Sequence, residues 1–171
     1  MCGGLVKKAS QLEVLNSELG VDVWCLTEHQ LQSFSGEIIK ADMTVIDNFY
    51  CSAIFCRKIY KGGGSAIFVK NSMESIEVNI SDVVEEGLFE ATAILLKHAT
   101  ILCVYKPPYS CNDLFLSKLQ ECVDKLISKR KYLFICGDIN IDTLITNQSK
   151  RKGRDQLEDF FAAEWALNNN N

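Results

Sequence analysis

One stretch constrains this chain more than any other: the apolar run Tyr132 to Cys136 ends abruptly in Gly137, Asp138, Ile139 and Asn140. An apolar run of four to eight residues bounded by turn residues reads as a buried strand, and the end of a strand is where a rigid scaffold presents chemistry. The same design occurs twice upstream. Val23 to Leu26 runs into Thr27 and Glu28, and Ile101 to Val104 runs into Tyr105 before Lys106, Pro107 and Pro108. Three apolar strands therefore each deliver a polar group as they leave the core.

Helical and extended periodicities alternate around these strands. Leu12, Leu15 and Leu19 recur at helical spacing, and Gly20 closes that helix just before the strand ending at Thr27. Residues 29 to 48 read as loop-rich. Strand texture follows from Tyr50 to Phe55, Ala66 to Val69, Ser75 to Ile80 and Phe89 to Leu96, with Gly62 to Gly64 as a hairpin turn rather than a phosphate cradle, because no helix follows it. Lys97, His98 and Ala99 connect two strands as a hairpin. Ser110 with Asp113 suggests a capping box for a helix whose Leu116, Leu119, Val123, Leu126 and Ile127 make one apolar stripe. A last amphipathic helix is expected over Asp155 to Leu167. Mixed strands covered by helices predict a layered α/β sandwich with two facing sheets, whose strand ends meet at one rim.

The 171 residues are 47% hydrophobic, enough for a single core and a single domain over 1–171. Of the eight cysteines, Cys25, Cys103 and Cys136 lie inside apolar strand runs, where thiols pack as small hydrophobes, and no Cys-x-x-Cys pair suggests zinc. No signal-peptide pattern opens the sequence and no apolar run is long enough to span a bilayer, so the expectation is a reducing intracellular compartment, cytoplasm or nucleus. The net charge of −4 argues against a clamp that neutralises phosphates with a basic surface. Arg57-Lys58, Lys129-Arg130-Lys131 and Lys150-Arg151-Lys152 with Arg154 could touch a phosphate backbone, but they read more simply as solvated loops and a helix end.

Four motifs in order, Leu26-Thr27-Glu28-His29, Gly62-Gly63-Gly64 through Val69, Tyr105-Lys106-Pro107-Pro108 and Gly137-Asp138-Ile139-Asn140-Ile141-Asp142, resemble the endonuclease/exonuclease/phosphatase superfamily. Within it the sequence is most similar to the endonuclease domain of non-LTR retrotransposons, whose polyproteins also carry a reverse transcriptase. The resemblance runs from about Lys8 to about Leu157. It implies a four-layer α/β sandwich and Mg²⁺- or Mn²⁺-dependent hydrolysis of a phosphodiester in DNA or another nucleic acid. By resemblance Glu28 is the metal ligand, and Asp138 orients or deprotonates the attacking water. Asn140 donates to a phosphate oxygen and steadies Asp138, Tyr105 donates to the phosphate as charge builds, and Asp142 has no assigned catalytic role. Taken singly, these residues also suit plainer roles. Glu28 could open a polar loop, Asp138 and Asn140 could form Asx turns, and Tyr105 could simply reach solvent.

Departures from the family pattern shape the expectation of activity. The family opens on a strand bearing an asparagine near the metal and closes on a Ser-Asp-His strand end whose histidine acts as general base. The only histidines are His29 and His98, and neither occupies that place. The expectation is a truncated copy lacking its opening strand and roughly its last third, with weak or no activity and an exposed edge on the strand from Tyr132 to Cys136. Its partners would be nucleic acid and the missing C-terminal segment of its polyprotein, not a membrane. A noncatalytic remnant or interaction module, or a phosphatase or phospholipase of the same superfamily, are the alternatives.

Overall fold

The computed structural model describes residues 5–30, 46–127, 132–141 and 151–169. Asp142 and the cluster Lys129-Arg130-Lys131 fall outside them, as does most of the stretch 29–48. In chain order the elements are α1 (Leu5–Leu19), β1 (Val23–Thr27), β2 (Phe49–Phe55), β3 (Ser65–Lys70), β4 (Ile76–Val78), β5 (Glu90–Leu95), β6 (Thr100–Tyr105), α2 (Asn112–Ile127), β7 (Leu133–Asp138) and α3 (Arg151–Asn169).

The strands form two sheets. One has the order β1-β3-β2 with both pairings antiparallel, and the other has the order β4-β5-β6-β7. In the second sheet β5 and β6 form the hairpin expected at Lys97 to Ala99, closed by the Leu96 N–H donating to the Ala99 carbonyl at 2.8 Å. β6 and β7 run parallel, a pairing that requires a crossover, and α2 supplies it.

Period-2 alternation distributes the side chains over three apolar layers. Ala53, Ile67, Val69, Ile94 and Cys103 pack between the sheets, with Val23, Cys25 and Ile101 partly buried beside them. On the outer face of the first sheet, Leu12 of α1 packs with Trp24, Leu26, Phe68 and Ile46. On the outer face of the second, Phe115, Leu119, Val123 and Leu126 of α2 lie against Phe89, Ala91, Ala93, Leu102 and Val104, with Phe160 of α3 alongside. Helix, sheet, sheet and helices make the four-layer sandwich that the sequence predicted. Gly20 ends α1 as expected, in the left-handed conformation at φ 61°, with its N–H donating to the Asn16 carbonyl.

Four local expectations change. The Ser110 hydroxyl donates to the Pro107 carbonyl at 2.9 Å, and the Asp113 carboxylate accepts from Lys152 and Gln156 of α3, so the two side chains tie a turn and a helix pair together and do not form a capping box. β4 covers only Ile76–Val78, because β4 and β5 pair only from Val78↔Ala93 to Ile76↔Leu95. The strand ending in Asp138 is less buried than its apolar run implies, Phe134 being 59% exposed, while its place at the edge, flanked only by β6 among the described residues, is as expected. The loop between β2 and β3 spans nine residues, so the glycines at 62–64 end a long hairpin connection and not a tight turn.

Candidate active site

β1, β6 and β7 finish at the same rim of the sandwich, and each finishes on a residue singled out by the sequence. The Tyr105 hydroxyl donates to Glu28 Oε1, bridging the ends of β6 and β1 across the two sheets. Asp138 is the in-register neighbour of Tyr105 in the parallel β6–β7 ladder, so the two side chains project to the same face. Asn140 follows two residues later, and its backbone N–H donates to Asp138 Oδ1 at 3.0 Å. The Asn140 Nδ2 donates to the Lys106 carbonyl at 2.8 Å, and the Lys106 N–H donates to the Asp138 carbonyl at 2.8 Å. Residues separated by more than a hundred positions thus share one small patch of surface.

The backbone is specialised at these positions. Glu28 and Asn140 are non-glycine residues held at φ 53° and 46°, a conformation disfavoured for side-chain-bearing residues and retained where surrounding bonds enforce it. Hydrogen bonds enforce it here: the Glu28 N–H donates to the Gly64 carbonyl at 2.9 Å, and Asn140 is fastened by both its backbone and its side chain. Gly137 lets β7 come close to β6, since a Cβ at this position would fall on the Val104 carbonyl oxygen.

Exposure divides the set. Glu28, Asp138 and Asn140 are exposed at the rim, whereas Tyr105 is buried. Burial, reinforced by the hydrogen bond to Glu28, raises the phenol pKa well above that of an ordinary tyrosine, with Arg57 opposing in part. Tyr105 therefore stays a neutral donor at physiological pH. A cavity of about 610 Å³ lies on the other flank of the sandwich, lined by residues such as Phe55, Lys58, Ile80 and Thr92, and none of the four site residues borders it. The site is a rim rather than a deep pocket.

Three neighbours went unrecognised in the sequence. Arg57, expected to be solvated, has a side chain only 10% exposed and donates from Nε to the fully buried Glu90 at 2.6 Å. Its guanidinium lies 5.8 Å from the centre of the Tyr105 ring, within cation–π range. Glu90 also accepts from the Gly64 N–H at 2.7 Å and the Gly87 N–H at 2.9 Å. A readable signal existed, a lone carboxylate interrupting the apolar run from Phe89 to Leu96. Lys106 is the third. It is buried, its Nζ bonded to the Ser110 carbonyl at 3.0 Å, and burial lowers its pKa.

The two histidines are elsewhere in role. His29 is buried, its Nε2 hydrogen-bonded to the Phe55 carbonyl at 2.9 Å, and burial lowers its pKa despite the backbone carbonyl bonds that raise it. His98 sits in the β5–β6 hairpin, at the end of β6 opposite Tyr105. Beneath the rim, the neighbouring thiols of Cys103 and Cys136 donate to the Leu26 and Leu102 carbonyls at 3.8 and 3.7 Å. The neighbouring Cys103 thiol, with burial, pushes Cys25 up to about 12, and the neighbouring Cys25 thiol, with burial, lifts Cys136 far above an ordinary thiol. Protonated thiols of this kind pack as small apolar groups.

Of the basic clusters read as solvated, two members on α3 carry ion pairs. Lys152 bonds Asp113, and Arg154 bonds Asp155 and Glu158. Among the described residues no group of three or more His, Cys, Asp or Glu side chains could enclose a metal ion, and no helix is long and apolar enough to cross a membrane.

No family model and no curated protein matches the sequence. Solved structures do match the fold. The 3' phosphatase NExo from Neisseria, bound to a product DNA hairpin, aligns with a TM-score of 0.64 at 15% identity, over 93% of this chain and 68% of its own. The AP endonuclease LMAP from Leishmania major aligns with a TM-score of 0.63 at 16% identity, over 94% of this chain and 63% of its own. This chain therefore has the fold of these two enzymes and spans about two thirds of their length.

Proposed function

We propose that this chain is a phosphodiester hydrolase acting on nucleic acid, of the kind that serves non-LTR retrotransposons as an endonuclease domain, working inside the cell in cytoplasm or nucleus. The observation that carries the reading is the convergence of Glu28, Tyr105, Asp138 and Asn140 on one rim. The matched folds support it from outside, since one neighbour is a phosphatase bound to DNA and the other an AP endonuclease.

The donor set suits a hard divalent cation such as Mg²⁺ or Mn²⁺. Such ions take oxygen ligands and are commonly held by one or two carboxylates, with water and substrate phosphate completing the shell. Glu28 would hold it through its exposed carboxylate, fixed by the Tyr105 hydroxyl. When bound, the ion would offset the negative charge that develops on the phosphate and the leaving oxygen. Asp138 would orient and deprotonate water, with its Oδ1 steadied by the Asn140 N–H. Tyr105, neutral at working pH, would supply a hydrogen bond to the developing charge. The phosphate competes with Glu28 for that hydroxyl.

A second reading, a noncatalytic remnant, is favoured by the histidines. One is buried against the Phe55 carbonyl and the other lies at the opposite end of β6, so neither can serve Asp138 as proton acceptor. A positioned general base is worth on the order of 10² to 10⁴ in rate. The expected result is no detectable nicking of supercoiled plasmid by residues 1–171 in Mg²⁺, with cleavage appearing in a fusion to a family segment bearing Ser-Asp-His. Asp138→Ala in that fusion is expected to abolish it. Cleavage of a free phosphomonoester or a phospholipid, but not of plasmid, points to the other enzymes of the superfamily. Robust nicking by the isolated chain, lost on Asp138→Ala, overturns the expectation of weak activity, and an inert fusion favours the remnant.

A further inference from the structure

The contacts around Tyr105 close into a ring. Tyr105 donates to Glu28, and the Glu28 N–H donates to the Gly64 carbonyl. The Gly64 N–H donates to Glu90, Glu90 accepts from Arg57, and Arg57 covers the face of the Tyr105 ring. The ring passes through both sheets and through the long β2–β3 loop. A buried ion pair adds little net stability, because desolvation offsets most of the attraction, so stability alone does not account for this one. Glu90 makes three charge-assisted or backbone bonds from a fully buried position, and two of its donors belong to loop backbones that would otherwise be free to shift.

We propose that the Arg57–Glu90 pair is a positioning device for the site: it fixes the Tyr105 ring and, through Gly64, the backbone of Glu28, so that the phenol and the carboxylate meet in one geometry. The inference rests on the proposed hydrolase reading for its purpose, but its physical content, the coupling of Arg57 and Glu90 to the Tyr105–Glu28 bond, does not. Glu28 requires such a device because its left-handed backbone is strained and released by any loosening of the Gly64 contact. The loop is further held by Glu86, whose carboxylate accepts from the N–H groups of Lys58, Ile59 and Tyr60, so Arg57 reaches inward from a fixed base.

The test is exchange of the Tyr105 hydroxyl proton, followed by NMR on the chain as it exists. Glu28→Gln supplies the reference for a weakened bond. The double variant Arg57→Ala with Glu90→Gln leaves no unpaired buried charge and keeps one oxygen to accept from the Gly64 N–H, giving up only the bond from the Gly87 N–H, so it is expected to fold. Exchange of the Tyr105 hydroxyl is expected to quicken at least tenfold in it, while amide exchange in β3 and β5 stays within twofold of the parent. Restoring side-chain bulk and hydrogen bonding with Arg57→Gln and Glu90→Gln is expected to recover most of the protection. Unchanged Tyr105 exchange in the double variant overturns the proposal, as does acceleration that amides of the whole core share, which marks a merely structural pair. Should that variant fail to fold, Arg57→Lys keeps the charge and loses the planar cover, and unchanged exchange there overturns the proposal equally. Adding Mg²⁺ separates the two readings: no response of the Glu28 carboxyl resonance in the parent, with the Tyr105 bond intact, sinks the hydrolase reading and leaves the positioning device standing.

Discussion

Gly137 shows how tightly a single residue can be specified. Its φ of 137° lies where side-chain-bearing residues are rarely found, and the Val104 carbonyl occupies the place a Cβ would take. Gly137→Ala is expected to push β7 off β6 and cost several kcal/mol, above the roughly 1 kcal/mol of an average substitution. The midpoint of chemical denaturation reads this directly, and a loss under about 1 kcal/mol means that β7 does not need this approach. Gly64 is constrained in the same way: a Cβ there would lie 2.9 Å from the Phe55 carbonyl oxygen and against the His29 ring. His29 yields a pH prediction. Burial lowers its folded-state pKa below the unfolded value of 6.5. Between the two values the unfolded chain binds more protons, so stability rises with pH through that window. The contribution is complete above the unfolded pKa and is lost as pH falls toward the folded one. Melting temperature should therefore begin to drop below about pH 6.5, and His29→Gln should remove the slope in that range. The carboxylates Asp82 and Asp113, held low chiefly by bonds to Lys125 and to Gln156 respectively, act only at more acidic pH. A parent curve flat from pH 7 to 5 contradicts the assignment.

At the scale of elements, α2 is the part on which the site's position depends most. It carries the chain from β6 to β7 and so sets Asp138 beside Tyr105. Phe115 is fully buried, with its ring centre 5.5 Å from that of Phe89. Phe115→Ala should cost about 3–5 kcal/mol through lost transfer energy and the cavity left behind. Phe134 on edge strand β7 is the contrast, exposed and outside the core, and Phe134→Lys should change stability by no more than about 0.5 kcal/mol while suppressing aggregation. Equal losses from the two substitutions, measured in urea, would mean that β7 is covered rather than open. These elements were legible to different degrees. The strands ending at Thr27, Tyr105 and Asp138 could be read because apolar runs stop sharply at polar residues, and the α2 stripe because its spacing is helical. Glu90 left only the trace of a lone carboxylate in an apolar run, and its pairing with Arg57 could not be read, since a charge on a loop looks solvated until the fold brings the two within 2.6 Å. The edge character of β7 was legible only as an expectation from the resemblance, because Tyr132 to Cys136 is as apolar as a central strand.

For the whole molecule, the question is how firmly the rim can hold an ion while it presents so few ligands. Glu28 and Asp138 are the exposed carboxylates of the four site residues, and one oxygen of each is already hydrogen-bonded, to the Tyr105 hydroxyl and the Asn140 N–H. Mg²⁺ keeps several waters in such sites, so a millimolar or weaker dissociation constant is expected. Binding to the native state alone stabilises by RT ln(1 + [L]/Kd), which at an ion concentration equal to Kd is about 0.4 kcal/mol. In a chain of this size each kcal/mol moves the melting temperature by roughly 2–4 °C. The shift at 1 mM Mg²⁺ should therefore be no more than about 2 °C. Glu28→Gln should erase it, while a variant at the exposed Glu77, far along β4, should not. A rise of several degrees at low micromolar Mg²⁺ would require ligands beyond Glu28 and Asp138, and with them a site capable of more chemistry than the described residues provide.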